Sequence, residues 1–141
     1  EINKGNPFPA RHDRTHDVSV VAMYDLSRKL KISATWVYYT GNAVTFPGGR
    51  YEIDGQTIAY YTERNGYRMP DYHRLDVGLV WQRKKTSKFE SGWNFSVYNA
   101  YSRENAYFID FRTKENNLSE TEAVQVSLFR AIPSVSYRFQ F

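Results

Sequence analysis

The sequence predicts an all-β chain, read as about five antiparallel strands that form one sector of a larger transmembrane barrel. Three observations predict it. Apolar and polar residues alternate with period two in five long stretches, which puts them on opposite faces of strands. The connections between these stretches run short, long, short, long, the asymmetry of outer-membrane barrels with short periplasmic turns and long external loops. Rings are abundant in a polar chain. Phe, Tyr and Trp make up 17% of the 141 residues, yet the mean hydropathy is −0.65, which suits rings at interfaces as well as in a core.

Composition narrows the classes. There is no Cys, so neither a disulfide framework nor a thiolate metal site exists. No run approaches the roughly 18 apolar residues of a membrane helix; this excludes helical spanning and leaves a β-barrel open. The 19 basic and 15 acidic residues give a net charge of +4. The basic residues fall in loops and at strand ends rather than on one face, so no nucleic-acid partner is expected. The chain starts at Glu1 without Met or a signal peptide, and is expected to be a mature product, an excerpt or a proteolytic piece.

Residues 1–12 are rich in turn formers (Gly5, Pro7, Pro9) and read as loop. Residues 13–26 alternate: Val18, Val20, Ala22, Tyr24 and Leu26 share one face, and Asp17, Ser19, Met23 and Asp25 the other. A tight connection, Leu26-Ser27-Arg28-Lys29, leads to a second strand over residues 30–40. There Leu30, Ile32, Ala34, Trp36 and Tyr38 oppose Lys31, Ser33, Thr35 and Tyr39, making a hairpin.

Residues 41–71 form a connection of about 30 residues, far above the usual loop length and therefore a functional candidate. A small hairpin is expected inside it over residues 50–61, turning at Asp54-Gly55. The third strand spans residues 72–82, with His73, Leu75, Val77, Leu79 and Trp81 facing away from Arg74, Asp76, Gly78, Val80 and Gln82. A short basic turn, residues 83–88, follows. The fourth strand starts near Phe89, with Trp93, Phe95, Val97 and Tyr101 on one face, and is read as continuing towards residues 106–111; residues 112–122 read as polar loop. The fifth runs from about Ala123 to Phe141. Val124, Val126 and Leu128 have one parity and Val135, Tyr137, Phe139 and Phe141 the other, so a bulge or bend is expected between Leu128 and Pro133.

Strands of about 10 to 14 residues exceed the usual length in soluble sheets. Rings gather at their ends, as an aromatic girdle requires: Tyr24, Trp36, Tyr38, Trp81 and Phe89. Five strands cannot close a spanning barrel, for which about eight is the minimum, and open edges in lipid cost several kcal/mol per unpaired group. The expectation is therefore the C-terminal sector of a larger barrel.

Candidate sites are few. His12, Asp13, His16 and Asp17 are compatible in type with a metal, but on a strand His12 and His16 lie about 13 Å apart, too far for one ion; they read as solvated rim charges, and no metal or cofactor is expected. Arg74 and Asp76 share a parity and are expected to form an ion pair on the lumen side. No Ser-His-Asp set or paired carboxylates stand out, so the chain is read as non-enzymatic. The long connection is the best binding candidate. Tyr60, Tyr61, Glu63, Arg64, Asn65, Tyr67 and Arg68 combine rings with hydrogen-bonding groups suited to a sugar, peptide or chelate; packing among loops is the rival reading.

Four stretches carry a family resemblance: HDRTHDVSVVAMYDLSRKLKISATWVYYTGNAVTFP (12–47), ERNGYRMPDYHRLDVGLVW (63–81), WNFSVYNAYSRENAYFIDF (93–111) and QVSLFRAIPSVSYRFQF (125–141). Together they resemble the C-terminal end of TonB-dependent outer-membrane receptors, those of Bacteroidota in particular, over nearly the whole chain from about Arg11. The terminal Phe141, with Tyr137 and Phe139, is similar to the signal read by the barrel-assembly machinery. The resemblance implies a 22-stranded barrel in the outer membrane of a Gram-negative cell, of which residues 1–141 are the last five strands. It implies an N-terminal plug and upstream strands outside this chain, and capture of a nutrient ligand (an iron chelate, glycan or peptide) by loops and plug. Uptake is then energised by TonB acting on the plug. Implied partners are outer-membrane lipid, the rest of the receptor and the assembly machinery; a surface lipoprotein partners several such receptors, although this tail looks more like the stand-alone class.

Two other readings are open at this point. A soluble β-sandwich or carbohydrate-binding module would pack Leu30, Ile32, Trp36 and Tyr38 on a second sheet. A small structural or adhesive outer-membrane barrel would need more strands than are counted here.

Overall fold

The computed structural model describes residues 2–86, 88–114 and 117–141. Apart from a single 3-10 turn at Ile2–Gly5, its regular structure is all β. In chain order the strands are β1 (Asp17–Ser27), β2 (Leu30–Tyr39), β3 (Ala43–Val44), β4 (Gly49–Ile53), β5 (Gln56–Tyr60), β6 (Tyr67–Arg68), β7 (Tyr72–Lys85), β8 (Glu90–Tyr98), β9 (Phe108–Lys114), β10 (Asn117–Val126) and β11 (Ile132–Gln140). Two compact units result. One comprises residues 1–17 and 39–71, the other residues 18–38 and 72–141.

The second unit is built on a five-stranded sheet in the order β1-β2-β7-β8-β11. These are the five expected strands, in sequence order. The ladders of β7 with β8 and of β8 with β11 are antiparallel. Their registers put the apolar sets on one face. Leu79 lies opposite Phe95 and Trp81 opposite Trp93, while Val135 lies opposite Phe95 and Tyr137 opposite Trp93. Ala22 and Tyr24 of β1 and Ile32 and Ala34 of β2 line one shallow trough with Val77, Leu79, Phe95, Val97 and Val135. The alternation of β7, β8 and β11 is therefore in phase, because a one-residue slip between them would have turned a strand's side chains to the other face.

At β11 this apolar face is open. Val135 is 59% exposed and Phe139 58%. Among the described residues the buried apolar core is Ala43 alone, and it lies in the other unit. Among the described residues β1 pairs only with β2 and β11 only with β8, so both edges of the sheet are open.

The sequence expectations meet three corrections here. The fourth strand does not run on towards residues 106–111. It ends at Tyr98, where Asn99 (φ 53°) and Ser102 (φ 57°) adopt left-handed conformations that turn the chain. Residues 112–122 are not a polar loop throughout, since β9 and β10 form an antiparallel hairpin that pairs Arg112 with Glu122. The fifth stretch is not one strand with a bulge. β10 and β11 belong to different sheets, separated by residues 127–131, and this accounts for the change of parity after Leu128.

The first unit contains two two-stranded sheets, β3 with β6 and β4 with β5. The β4–β5 hairpin turns where expected. Ile53 pairs with Gln56, and Asp54 (φ 51°) and Gly55 (φ 77°) are both left-handed, the requirement of a two-residue type I′ turn that Asp-Gly meets at low cost.

Candidate functional site

In the first unit the chain is held by side chains that bond to distant backbone. Arg68 donates through Nη1 to the Asp13 carbonyl (2.7 Å) and the Gly41 carbonyl (3.3 Å), and its Nη2 pairs with the Asp13 carboxylate. Asn65, itself left-handed at φ 52°, donates from its backbone to Thr45 Oγ1 (2.9 Å) and from Nδ2 to the Pro9 carbonyl (2.9 Å). Asp71 Oδ1 accepts from the Gly41 amide at 3.1 Å. Arg68 and Asn65, both binding candidates by sequence, thus spend their polar atoms on tying the loop to residues 9–13 and 41–45. No sequence signal points to this, because Arg68 and Asp13 are 55 positions apart.

The remaining candidates fall differently. Tyr60 is 53% exposed and Tyr61 57%. Tyr60 meets Tyr51 edge-on, with ring centroids 6.4 Å apart. On the β4–β5 hairpin Tyr51 lies opposite Ile58, so Tyr51, Ile53, Ile58 and Tyr60 share one face by strand alternation; all four are exposed. Tyr67 packs on Phe46 at 5.6 Å, and the Arg64 guanidinium sits 5.1 Å from the centre of the Phe8 ring. Tyr60 and Tyr61 are therefore displayed on the hairpin, Tyr67 and Arg64 are engaged with rings of their own unit, and Arg68 is a tie. Tyr51 and Ile58 are additions that follow once the hairpin register is known.

His12, Asp13, His16 and Asp17 are not gathered round a point. Asp13 serves Arg68, Asp17 faces Arg14 at 3.6 Å, and the His16 amide donates to Thr40 Oγ1. Among the described residues no group of three or more His, Asp or Glu is placed to hold a metal ion.

In the second unit the polar face of the sheet carries two networks. Arg74 and Asp76 form the expected ion pair at 2.9 Å, with side chains 24% and 29% exposed. Arg74 Nη1 also donates to the Tyr98 hydroxyl (2.8 Å) and the Tyr72 hydroxyl (3.0 Å), and its guanidinium lies over the Tyr98 ring at 4.1 Å. Asp76 Oδ1 accepts from the Asn99 amide (2.9 Å). Asn99 is buried and pins the turn after β8: its Nδ2 donates to the Arg103 carbonyl (2.8 Å), and its Oδ1 accepts from the Arg103 amide (3.2 Å). Near the other end of the strands Glu90 accepts from Gln82 (3.0 Å) and Arg138 (3.1 Å) and faces Lys85 at 3.5 Å.

On the apolar face the C-terminal rings form a continuous ladder. Centroid separations are 4.8 Å for Trp93–Tyr137, 6.1 Å for Tyr137–Phe139 and 5.9 Å for Phe139–Phe141. Trp36 and Tyr38 stack at 6.0 Å towards the opposite end.

Comparison with family models, with curated proteins and with solved structures finds no match to this chain.

Proposed function

We propose that this chain is part of the wall of a transmembrane antiparallel β-barrel in the outer membrane, the C-terminal sector of a TonB-dependent receptor. The receptor binds a nutrient ligand and takes it up. The observation that carries this reading is the uncovered apolar face. Val135 and Phe139 on it are 59% and 58% exposed, while the opposite face carries charge, part-sheltered at Arg74 and Asp76 and open at Arg138. In water such an apolar face would have to be covered by a second layer. Against hydrocarbon it needs no cover, and the polar face then lines a wet bore.

The open edges at β1 and β11 support the same reading, since a strand edge in lipid leaves backbone groups unsatisfied unless further strands complete the ring. The soluble sandwich is disfavoured because Leu30, Ile32, Trp36 and Tyr38 are none of them buried. A small structural barrel shares the sheet evidence and differs only in what lies outside these residues.

In this proposal the sheet is scaffold, and the displayed rings of the β4–β5 hairpin contribute recognition of a chelate, glycan or peptide. Two experiments test it. The full-length protein should remain with the membrane on carbonate extraction and migrate faster unheated than boiled, as folded barrels do; release into buffer without detergent would end the reading. Tyr61→Ala with Arg64→Ala should weaken binding at least severalfold in titrations against ferric chelates, oligosaccharides and peptides, with heat-modifiable migration unaltered. Unchanged affinity for whichever class binds would remove the connection from recognition.

A further inference from the structure

Charge is not shared evenly along the strands of the second unit. The β1–β2 turn, the β7–β8 turn and the end of β11 lie at one end of the five-stranded sheet. Chain positions 25–31, 83–90 and 138 carry eight of the nineteen basic residues and only two of the fifteen acidic ones, Asp25 and Glu90.

Those two acids are already taken. Asp25 faces Lys31 at 3.2 Å, and Glu90 serves Arg138 and Lys85. The side chains of Arg28, Lys29, Arg83 and Lys88 make no ion pair or hydrogen bond among the described residues, and all four are exposed. Elsewhere in this unit Arg74, Arg112, Lys114 and Arg130 are each paired with an acid of their own.

The same end carries the broadest row of rings. Trp81, Trp93 and Tyr137 lie side by side across three strands on the apolar face, with Phe139 and Phe141 stacked beyond Tyr137. Amphipathic rings of this kind settle where hydrocarbon gives way to headgroups. Lys88 stands past that row in the β7–β8 turn, Arg83 two residues beyond Trp81 on β7, and Arg28 and Lys29 in the β1–β2 turn at the same end of the sheet, the level that lipid phosphates would occupy.

We propose that the short-turn end of this sheet binds the phosphate headgroups of anionic phospholipid, with Arg28, Lys29, Arg83 and Lys88 as the contacting groups. This inference rests on the barrel reading above and adds a specific lipid partner to it. On the polar face Lys31 pairs with Asp25, and Lys85 and Arg138 share Glu90; Arg28 and Lys29 border the same trough, so an acidic protein segment in the bore is the rival occupant, and the ring row beside the turns favours lipid over it. A Lys or Arg near an anionic surface gains about fivefold in association at low ionic strength, and the gain fades as salt shortens the screening length.

The test uses the full-length protein in vesicles of phosphatidylcholine containing a minor share of phosphatidylglycerol. After transfer to mild detergent, the ratio of the two lipids retained is read by mass spectrometry. Phosphatidylglycerol should be enriched severalfold over its share in the vesicle. Arg28→Gln, Lys29→Gln, Arg83→Gln and Lys88→Gln combined should return the ratio to the bulk value, while Arg112→Gln with Lys114→Gln on the β9–β10 hairpin should leave it unaltered. If the fourfold variant fails to assemble, Lys29→Gln with Lys88→Gln should still lower the enrichment by a measurable part.

Insertion with no enrichment, or equal loss in both variants, overturns the headgroup proposal and leaves the barrel standing. A protein that stays in buffer overturns both. If enrichment is insensitive to the four substitutions while an acidic segment of the same polypeptide becomes open to protease, the cations serve a protein partner and the lipid proposal falls.

Discussion

Among the described residues the five-stranded sheet has no buried apolar side chain and the connection between β2 and β7 has Ala43 alone, and the two are held by different means. In the sheet, continuous backbone ladders do the holding: β8 and β11 pair without interruption from Ile132 opposite Tyr98 to Gln140 opposite Glu90. Side chains are sorted by face. In the connection the ladders are short, two residue pairs in β3–β6, and long-range side-chain bonds from Arg68, Asn65 and Asp71 stand in for them. A two-faced sheet depends on what meets each face. A stapled loop depends on a few polar atoms and close backbone contacts.

The largest test of that contrast is a charge placed on either face of the wall. Leu79 and Asn94 lie on opposite faces, near mid-strand of β7 and β8. If the apolar face meets lipid, Leu79→Lys destabilises the protein by about 2–4 kcal/mol, the cost of a cation near the bilayer midplane. Asn94→Lys, facing water, changes stability by less than about 1 kcal/mol. Denaturant titration of folding into phosphatidylcholine vesicles measures both. Equal penalties would erase the distinction between the faces and the barrel with it.

A middle-sized effect probes the sheltered charges. Arg74→Leu strips Asp76 of its cation and leaves Tyr72 and Tyr98 without their shared donor, an expected loss of about 1.5–3 kcal/mol for bonds to a charged group. Adding Asp76→Leu should recover much of it, because the penalty lies in the stranded charge rather than in the absent pair. A double variant no more stable than the single one would show that the pair itself supplies the stability, and that the polar face is not a wetted surface tolerant of neutral replacements.

Much of the sheet was legible in advance, and little of the stapling was. Period-two alternation located all five strands of the sheet, because a strand with unlike faces leaves its mark at every second residue. Asp54-Gly55 announced its turn for a local reason, the left-handed backbone that these residues tolerate. The β9–β10 hairpin escaped because Arg112, Lys114, Glu120 and Glu122 read as a polar run until register sets Arg112 beside Glu122. Asn99 escaped because two of its partners, Asp76 and Phe129, are distant in sequence. Among the binding candidates, Tyr60 and Tyr61 kept the exposure that recognition needs. Arg68 is an arginine among tyrosines in sequence and an anchor in three dimensions. Residue type alone does not distinguish the two, since a guanidinium suits a ligand carboxylate and a backbone carbonyl equally well.

The smallest effect is also the most local. Two glycines of the connection, Gly41 and Gly49, look alike in sequence. A Cβ on Gly41 would lie 1.6 Å from the Met69 carbonyl oxygen and 2.4 Å from its carbon, whereas one on Gly49 would meet nothing within 4 Å. The neighbour at Gly41 is backbone and cannot swing aside. That backbone also holds the loop together: the Met69 amide donates to the Asn42 carbonyl at 3.1 Å, and Ala43 pairs with Arg68 just beyond. Gly41→Ala must therefore push the two segments apart and loosen the Arg68 and Asp71 bonds to Gly41 together, at about 1–3 kcal/mol. Gly49→Ala should be neutral or slightly stabilising, since Gly49 does not need the left-handed region and alanine lowers the entropy of the unfolded chain. Because the sheet is held by its own ladders, the damage should appear as faster amide exchange at Ala43, Val44 and Met69, with β8 and β11 unchanged. Exchange that rose equally in the sheet would mean that the two regions open as one.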